Sequence, residues 1–244
     1  MQTYTTTFTE RVFYTNGREI ARQTLDADGN ITAATGELFT GHAKDFYSTG
    51  GLKQEAYFHK GLMEGVVKTY DRTGRLISVE NYKNGLRGGE TIRYNFSGGL
   101  LHEQHLYYQH GKLDGARKSY NANGALLWVE HFKNGRLDGP REVYFTTGKT
   151  QSSVVYKDDL MEGKRFTYYE NGNIVYEENF ERGKLTGPRT GYYPGGKIYL
   201  QETYKDNLLD GERTVYNEDG KPALKQFYAE GALQKTINYT GEEL

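Results

Sequence analysis

Glycine recurs every 24 residues along most of this chain. Gly41, Gly65 and Gly89 keep that spacing, Gly115 follows after 26, and Gly139, Gly163, Gly187 and Gly211 resume it. A second comb runs nine residues behind the first, through Gly50, Gly74, Gly98, Gly124, Gly148, Gly172, Gly196 and Gly220. Self-similarity at a fixed short period marks a stacked array of supersecondary units, because each unit must bury its apolar side against its neighbours. An independently folded enzyme domain has no reason to repeat itself in this way.

The unit from Gly65 to Gly89 shows what is stacked. Gly65–Tyr70 reads as a strand, Asp71–Gly74 as a turn, Arg75–Tyr82 as a longer strand and Lys83–Gly88 as a second turn. Asn84-Gly85 and Asn134-Gly135 mark the second turn, and Asn16-Gly17, Asn123-Gly124 and Asn171-Gly172 mark the first. Asn-Gly between β-like runs is the strongest short hairpin signal, since both residues tolerate positive φ. No segment holds a 3.6-residue period long enough to predict a helix. The expected fold class is therefore all-β: an elongated antiparallel β-meander, a solenoid-like sheet of about eight 24-residue β-hairpin repeats. About 16 strands at roughly 4.8 Å each would extend some 75 Å.

Three positions recur from unit to unit, two of them aromatic and one mostly aliphatic. The fifth residue after each comb glycine is Phe46, Tyr70, Tyr94, Tyr120, Tyr144, Tyr168, Tyr192 or Tyr216. The residue before the second turn is Phe58, Tyr82, Tyr108, Phe132, Tyr156, Phe180, Tyr204 or Tyr228. Leu52, Leu76, Leu100, Leu126, Ile174 or Ile198 lies between them, with Thr150 and Pro222 as the exceptions. Their odd offsets predict one shared face, with the aromatics stacked along the array as its core. Residues 1–36 read as a degenerate N-terminal cap, 37–235 as the array, and 236–244 as a charged C-terminal tail.

Composition narrows the function classes. The chain is only 36% hydrophobic, yet it carries 22 Tyr and 11 Phe, so it does not read as disordered. Its formal charge of -1 argues against general attraction to nucleic acid or anionic lipid. It has no cysteine, which removes disulfides and thiolate chemistry. The start at Met1 lacks the basic and apolar regions of a leader, and no run approaches a membrane span. A soluble, cytoplasmic protein is expected.

The pattern Tyr-x-x-x-Gly-(Lys/Arg) followed by aromatic-x-Asn-Gly-x-x-(Asp/Glu)-Gly resembles the MORN-repeat variant, and more closely the toxin–antitoxin YwqK-family antitoxins. Tyr168-Tyr169-Glu170-Asn171-Gly172-Asn173 and Phe132-Lys133-Asn134-Gly135-Arg136-Leu137-Asp138-Gly139 carry the match most cleanly. It covers about residues 10–235. The single Trp, Trp128, departs from the Gly- and Trp-marked pattern of longer-known MORN repeats. The resemblance implies an immunity protein or antitoxin that neutralises a cognate bacterial toxin by direct binding. It supplies no residue-level motif for the toxin contact. The alternative is a structural scaffold linking proteins or a membrane surface.

Several constellations are candidates for chemistry or binding. Arg117, Arg141, Arg165, Arg189 and Arg213 occupy the second position after consecutive comb glycines. They predict a row opposite the aromatic ladder. That row is either a basic stripe for an acidic partner or a set paired internally with Asp114, Asp138, Glu162, Asp210, Glu130, Glu178 or Glu202. Tyr47, Phe145, Tyr169 and Tyr193 each follow an inward aromatic, so they are either binding anchors along a turn edge or packing over neighbouring turns. His102, His105 and His110, with His131 nearby and Glu103 as a further candidate ligand, could hold a metal. His102 and His105 would face opposite sides of a strand, however, and the two extra residues before Tyr108 suit a local bulge or a bend in the sheet. No Gly-x-Ser-x-Gly, P-loop, dinucleotide or zinc motif occurs. Neither an enzyme activity nor a cofactor is expected, and the partner is expected to be a protein.

Overall fold

The computed structural model describes residues 9–15, 18–26, 31–36, 39–97 and 100–239. The architecture is all-β and antiparallel, and no helix occurs among the described residues. The chain divides into two compact units, Met1–Gly115 and Ala116–Leu244.

In the first unit, strands Thr9–Thr15, Arg18–Leu25 and Ile31–Gly36 form a separate three-stranded sheet. This sheet packs on a face of the array. Phe13 lies 4.8 Å edge-on to Phe58 and 5.5 Å from Phe39. Phe13 and Ala21 join Ala56, Phe58, Met63 and Val67 in one buried cluster. Burying each such Phe contributes about 1.5–3 kcal/mol. The Gln23 side-chain amide, itself buried, donates to the Gly61 carbonyl. The array follows in chain order as Gly41–Phe46, Leu52–His59, Leu62–Tyr70, Leu76–Lys83, Gly89–Ser97 and Leu100–Gln109, each paired with the next.

The second unit repeats the plan. Leu126–Lys133, Gly139–Tyr144, Thr150–Lys157, Leu160–Tyr168, Ile174–Glu181, Gly187–Tyr192, Ile198–Lys205, Leu208–Tyr216, Pro222–Ala229 and Ala232–Asn238 pair consecutively. The last strand runs through Lys235 into what the sequence suggests is tail.

Both turn types follow from the sequence. At the second turn both central residues take positive φ, as at Asn84 (52°) and Gly85 (79°), which is the type I′ geometry that matches strand twist. Asp158-Asp159 and Asp206-Asn207 adopt it without glycine. At the first turn the Asp71 amide donates to the Arg75 carbonyl (2.8 Å), and the Gly74 amide donates to the Asp71 carbonyl (3.0 Å).

The structure corrects the predicted single aromatic face. Pairing runs regularly from Gly65↔Tyr82 to Thr69↔Ser78, then jumps to Tyr70↔Leu76. Ile77 is thus a bulge residue, and the same shift recurs at residues 53, 151, 175, 199 and 223. Tyr82 shares face one with Gly65, Val67 and Glu80. Tyr70 and Leu76 lie on face two, where the Tyr70 hydroxyl donates to Glu55 Oε1 at 2.9 Å. The expected bulge before Tyr108 is also corrected. Leu100–Tyr108 pairs with Ser97–Gly89 without a shift, so the two extra residues lengthen the hairpin.

Candidate functional site

Face one of the second unit carries the arginine row, on the same side as the second-turn aromatics. This corrects the expectation of opposite faces. The pairs Arg141↔Val154, Arg165↔Glu178, Arg189↔Glu202 and Arg213↔Gln226 place each arginine beside the acid position of the next long strand. Glu130 accepts from Arg117 Nε at 3.0 Å and from Arg141 Nε at 2.8 Å. Glu178 accepts from Arg189 Nε at 3.0 Å and lies 3.5 Å from Arg165. Glu202 accepts from Arg189 Nη1 and Arg213 Nε, both at 2.9 Å, and Arg213 Nη1 continues to Gln226 Oε1 at 2.8 Å.

Arginine and glutamate therefore alternate in a ladder. Its acids are nearly closed off, with the Glu202 side chain only 5% exposed, whereas the arginine side chains keep 21–39% of their surface. Burial pulls the Arg189 guanidinium down, but the Glu202 hydrogen bond and the charges of Glu178 and Glu202 outweigh it, leaving its pKa above the ordinary value. Aromatic rings line the row. Arg117 stands 5.1 Å from Trp128 and 4.9 Å from Phe132, and Arg189 stands 4.0 Å from Tyr176. Such cation–π contacts hold guanidinium planes in place.

A bulge adds Tyr199 to this face. It packs against Gly191, where an added Cβ would come within 2.7 Å of the Tyr199 ring. The space lets the Tyr176 and Tyr199 hydroxyls meet. Burial, then the bond to Tyr176, raises the Tyr199 pKa. Residue type does not mark the bulge, so the sequence gives no direct signal for this cluster.

The acids that precede the comb glycines do not join the ladder where their contacts are described. Glu162 accepts from the Arg182 amide at 2.9 Å, and Glu64 accepts from the Asn84 amide at 2.8 Å. Each caps the second turn of the following repeat.

The first-turn aromatics stitch repeats together. The Tyr47, Tyr169 and Tyr193 hydroxyls donate to the carbonyls of Tyr70, Tyr192 and Tyr216 at 2.7, 2.9 and 2.8 Å, each 23 residues ahead. Phe145 holds the same position half-buried, without a hydroxyl.

The histidines divide. The side chains of His102 and Glu103 lie outside the described residues. His105 Nδ1 is 2.8 Å from Glu90, and His131 Nδ1 is 2.8 Å from the Pro140 carbonyl. Among the described residues no group of three or more His, Asp or Glu could hold a metal ion.

In the first unit, a cavity of about 830 Å³ opens beside the cap, with Arg11, Phe13, Phe39 and Phe58 in its wall. Burial lowers the Arg11 pKa, and its Nη1 reaches Gln23 at 3.5 Å.

Five segments match the family described as MORN repeat variant: residues 39–60, 63–84, 161–182, 185–206 and 209–230. The repeats mark the chain as a binding or scaffold repeat protein. No curated protein matches it. Among solved structures, it is similar to part of the Photorhabdus luminescens Tc holotoxin pore with mutant TccC3. That match has 12% identity and a TM-score of 0.22, and covers 96% of this chain and 16% of that one. It is also similar to part of the TcdB2–TccC3–Cdc42 crystal structure, at 14% identity and a TM-score of 0.20, covering 96% of this chain and 15% of that one. TM-scores of 0.22 and 0.20 establish no common fold.

Proposed function

We propose that this chain is a non-enzymatic protein-binding repeat protein, acting in the cytoplasm as an immunity protein or antitoxin that occludes a cognate bacterial toxin. The observation that carries the binding reading is the face-one ladder. Five arginines with part-exposed side chains stand among only three glutamates on one continuous strand series. Arginine and aromatic side chains side by side are the residue types that dominate protein interfaces. A net charge of -1 favours a protein partner over nucleic acid, because the positive charge is local. The antitoxin assignment within that reading rests on the YwqK-like repeat pattern.

Co-expression with the products of neighbouring genes tests the proposal. Rescue from toxicity together with a co-purifying one-to-one complex is expected. Folded protein that neither rescues nor forms a complex would refute the antitoxin role and favour the scaffold.

A further inference from the structure

The arginine–acid ladder has one interrupted step. At 24-residue intervals the acid position holds Glu130, Val154, Glu178, Glu202 and Gln226. Glu130 serves Arg117 and Arg141, Glu178 serves Arg165 and Arg189, and Glu202 serves Arg189 and Arg213. Val154, 6% exposed, lies opposite Arg141 and can accept nothing. Arg141 and Arg165 are thus, among the described residues, the one neighbouring pair in the row without a shared acceptor.

Both arginines show the deficit. Arg141 commits Nε to Glu130. Arg165 has only the 3.5 Å approach to Glu178, and at 39% its side chain is the most exposed of the five. Strand alternation puts Ser152 and Tyr156 on the same face as Val154, so neutral groups flank the gap on its own strand. A guanidinium fork matches a carboxylate bidentately, and two forks about 10 Å apart across the sheet can share one, as Arg165 and Arg189 share Glu178.

We propose that the Arg141–Val154–Arg165 step is a recognition site for one carboxylate of a partner protein, an Asp or Glu side chain that enters from solvent and completes the ladder. Val154 forms an apolar floor beneath it, and the flanking guanidiniums supply the donors. This deepens the protein-binding reading and rests on it.

The test uses the full chain, hexaglutamate as probe and arginine side-chain NMR as readout. Saturable shifts centred on Arg141 and Arg165 are expected, weakening with salt and absent with hexalysine. Val154→Glu supplies the missing acid in cis. It should raise Tm by about 3 °C and weaken hexaglutamate binding at least tenfold, whereas Val154→Leu should leave binding intact. Should Val154→Glu fail to fold, Arg165→Gln replaces it, since Glu178 keeps Arg189; a tenfold loss is again expected. Equal shifts at all five arginines, or binding indifferent to these variants, would overturn the site. A toxin complex that forms unchanged with Val154→Glu would overturn the site and leave the functional reading standing. Localised peptide binding without any toxin partner would do the reverse.

Discussion

Replacing Glu130 with leucine measures what the ladder contributes to stability. The Glu130 side chain is 10% exposed and takes three charge-assisted hydrogen bonds, from Arg117 Nε (3.0 Å), Arg117 Nη2 (2.5 Å) and Arg141 Nε (2.8 Å). Leucine keeps the volume but strands two guanidiniums. Breaking a fully buried pair costs about 3–5 kcal/mol. Both arginines are 32% exposed and regain water, so the expected cost of Glu130→Leu falls to about 2–3 kcal/mol. Trp128 is the only tryptophan and lies 5.1 Å from the Arg117 guanidinium, so its fluorescence reports the site during urea unfolding. A cycle with Arg141→Gln isolates the coupling, because both changes act on one network. A loss under about 0.5 kcal/mol, with no coupling to Arg141, would class the ladder with ordinary surface ion pairs and refute the reasoning.

Three further outcomes are expected. Gly191→Ala drives a methyl into the Tyr199 ring at 2.7 Å and should cost about 1–3 kcal/mol in urea unfolding; an unchanged midpoint would show that the Tyr176–Tyr199 pair moves freely. Tyr169→Phe removes the 2.9 Å bond to the Tyr192 carbonyl and should cost about 1 kcal/mol by the same assay, with Phe145 showing that the ring alone is accepted at this position. Burial and then Glu80 push Tyr82 from 10.0 up to about 12, and burial and then Glu142 do the same to Tyr144. Folded-state values above the unfolded ones stabilise the fold fully below about pH 10, and that contribution is lost as pH rises through about 12. Phenolate absorbance should therefore lag for a subset of tyrosines and rise together with loss of the sheet signal. Uniform titration near pH 10 in folded protein would contradict this.

The turns and the strand order were legible in the sequence because they are local. Positive φ at Asn84-Gly85 is a property of those two residues, and its 24-residue recurrence yields a meander of hairpins. The repeated aromatics were equally visible as packing positions. Their faces were not. Counting by twos from Gly65 to Leu76 crosses both a turn and the bulge at Ile77, and a one-residue slip sends each later side chain to the other side. The bulge position holds Lys53, Ile77, Gln151, Val175, Tyr199 and Ala223, which share no chemistry that could announce it.

For the same reason only the tertiary structure decided how the charges pair. The sequence alone determined that five arginines recur and that acids precede the comb glycines. Strand register placed Glu178 and Glu202 within reach of two arginines each, and turned Glu162 to cap a turn amide 20 residues away. Val154 acquires its meaning in the same way. In sequence it is one valine in a strand, but in the assembled sheet it stands where the ladder needs an acid, because strand pairing, a non-local property, sets it opposite Arg141 on one side and, at a register shift, against the strand of Arg165 on the other.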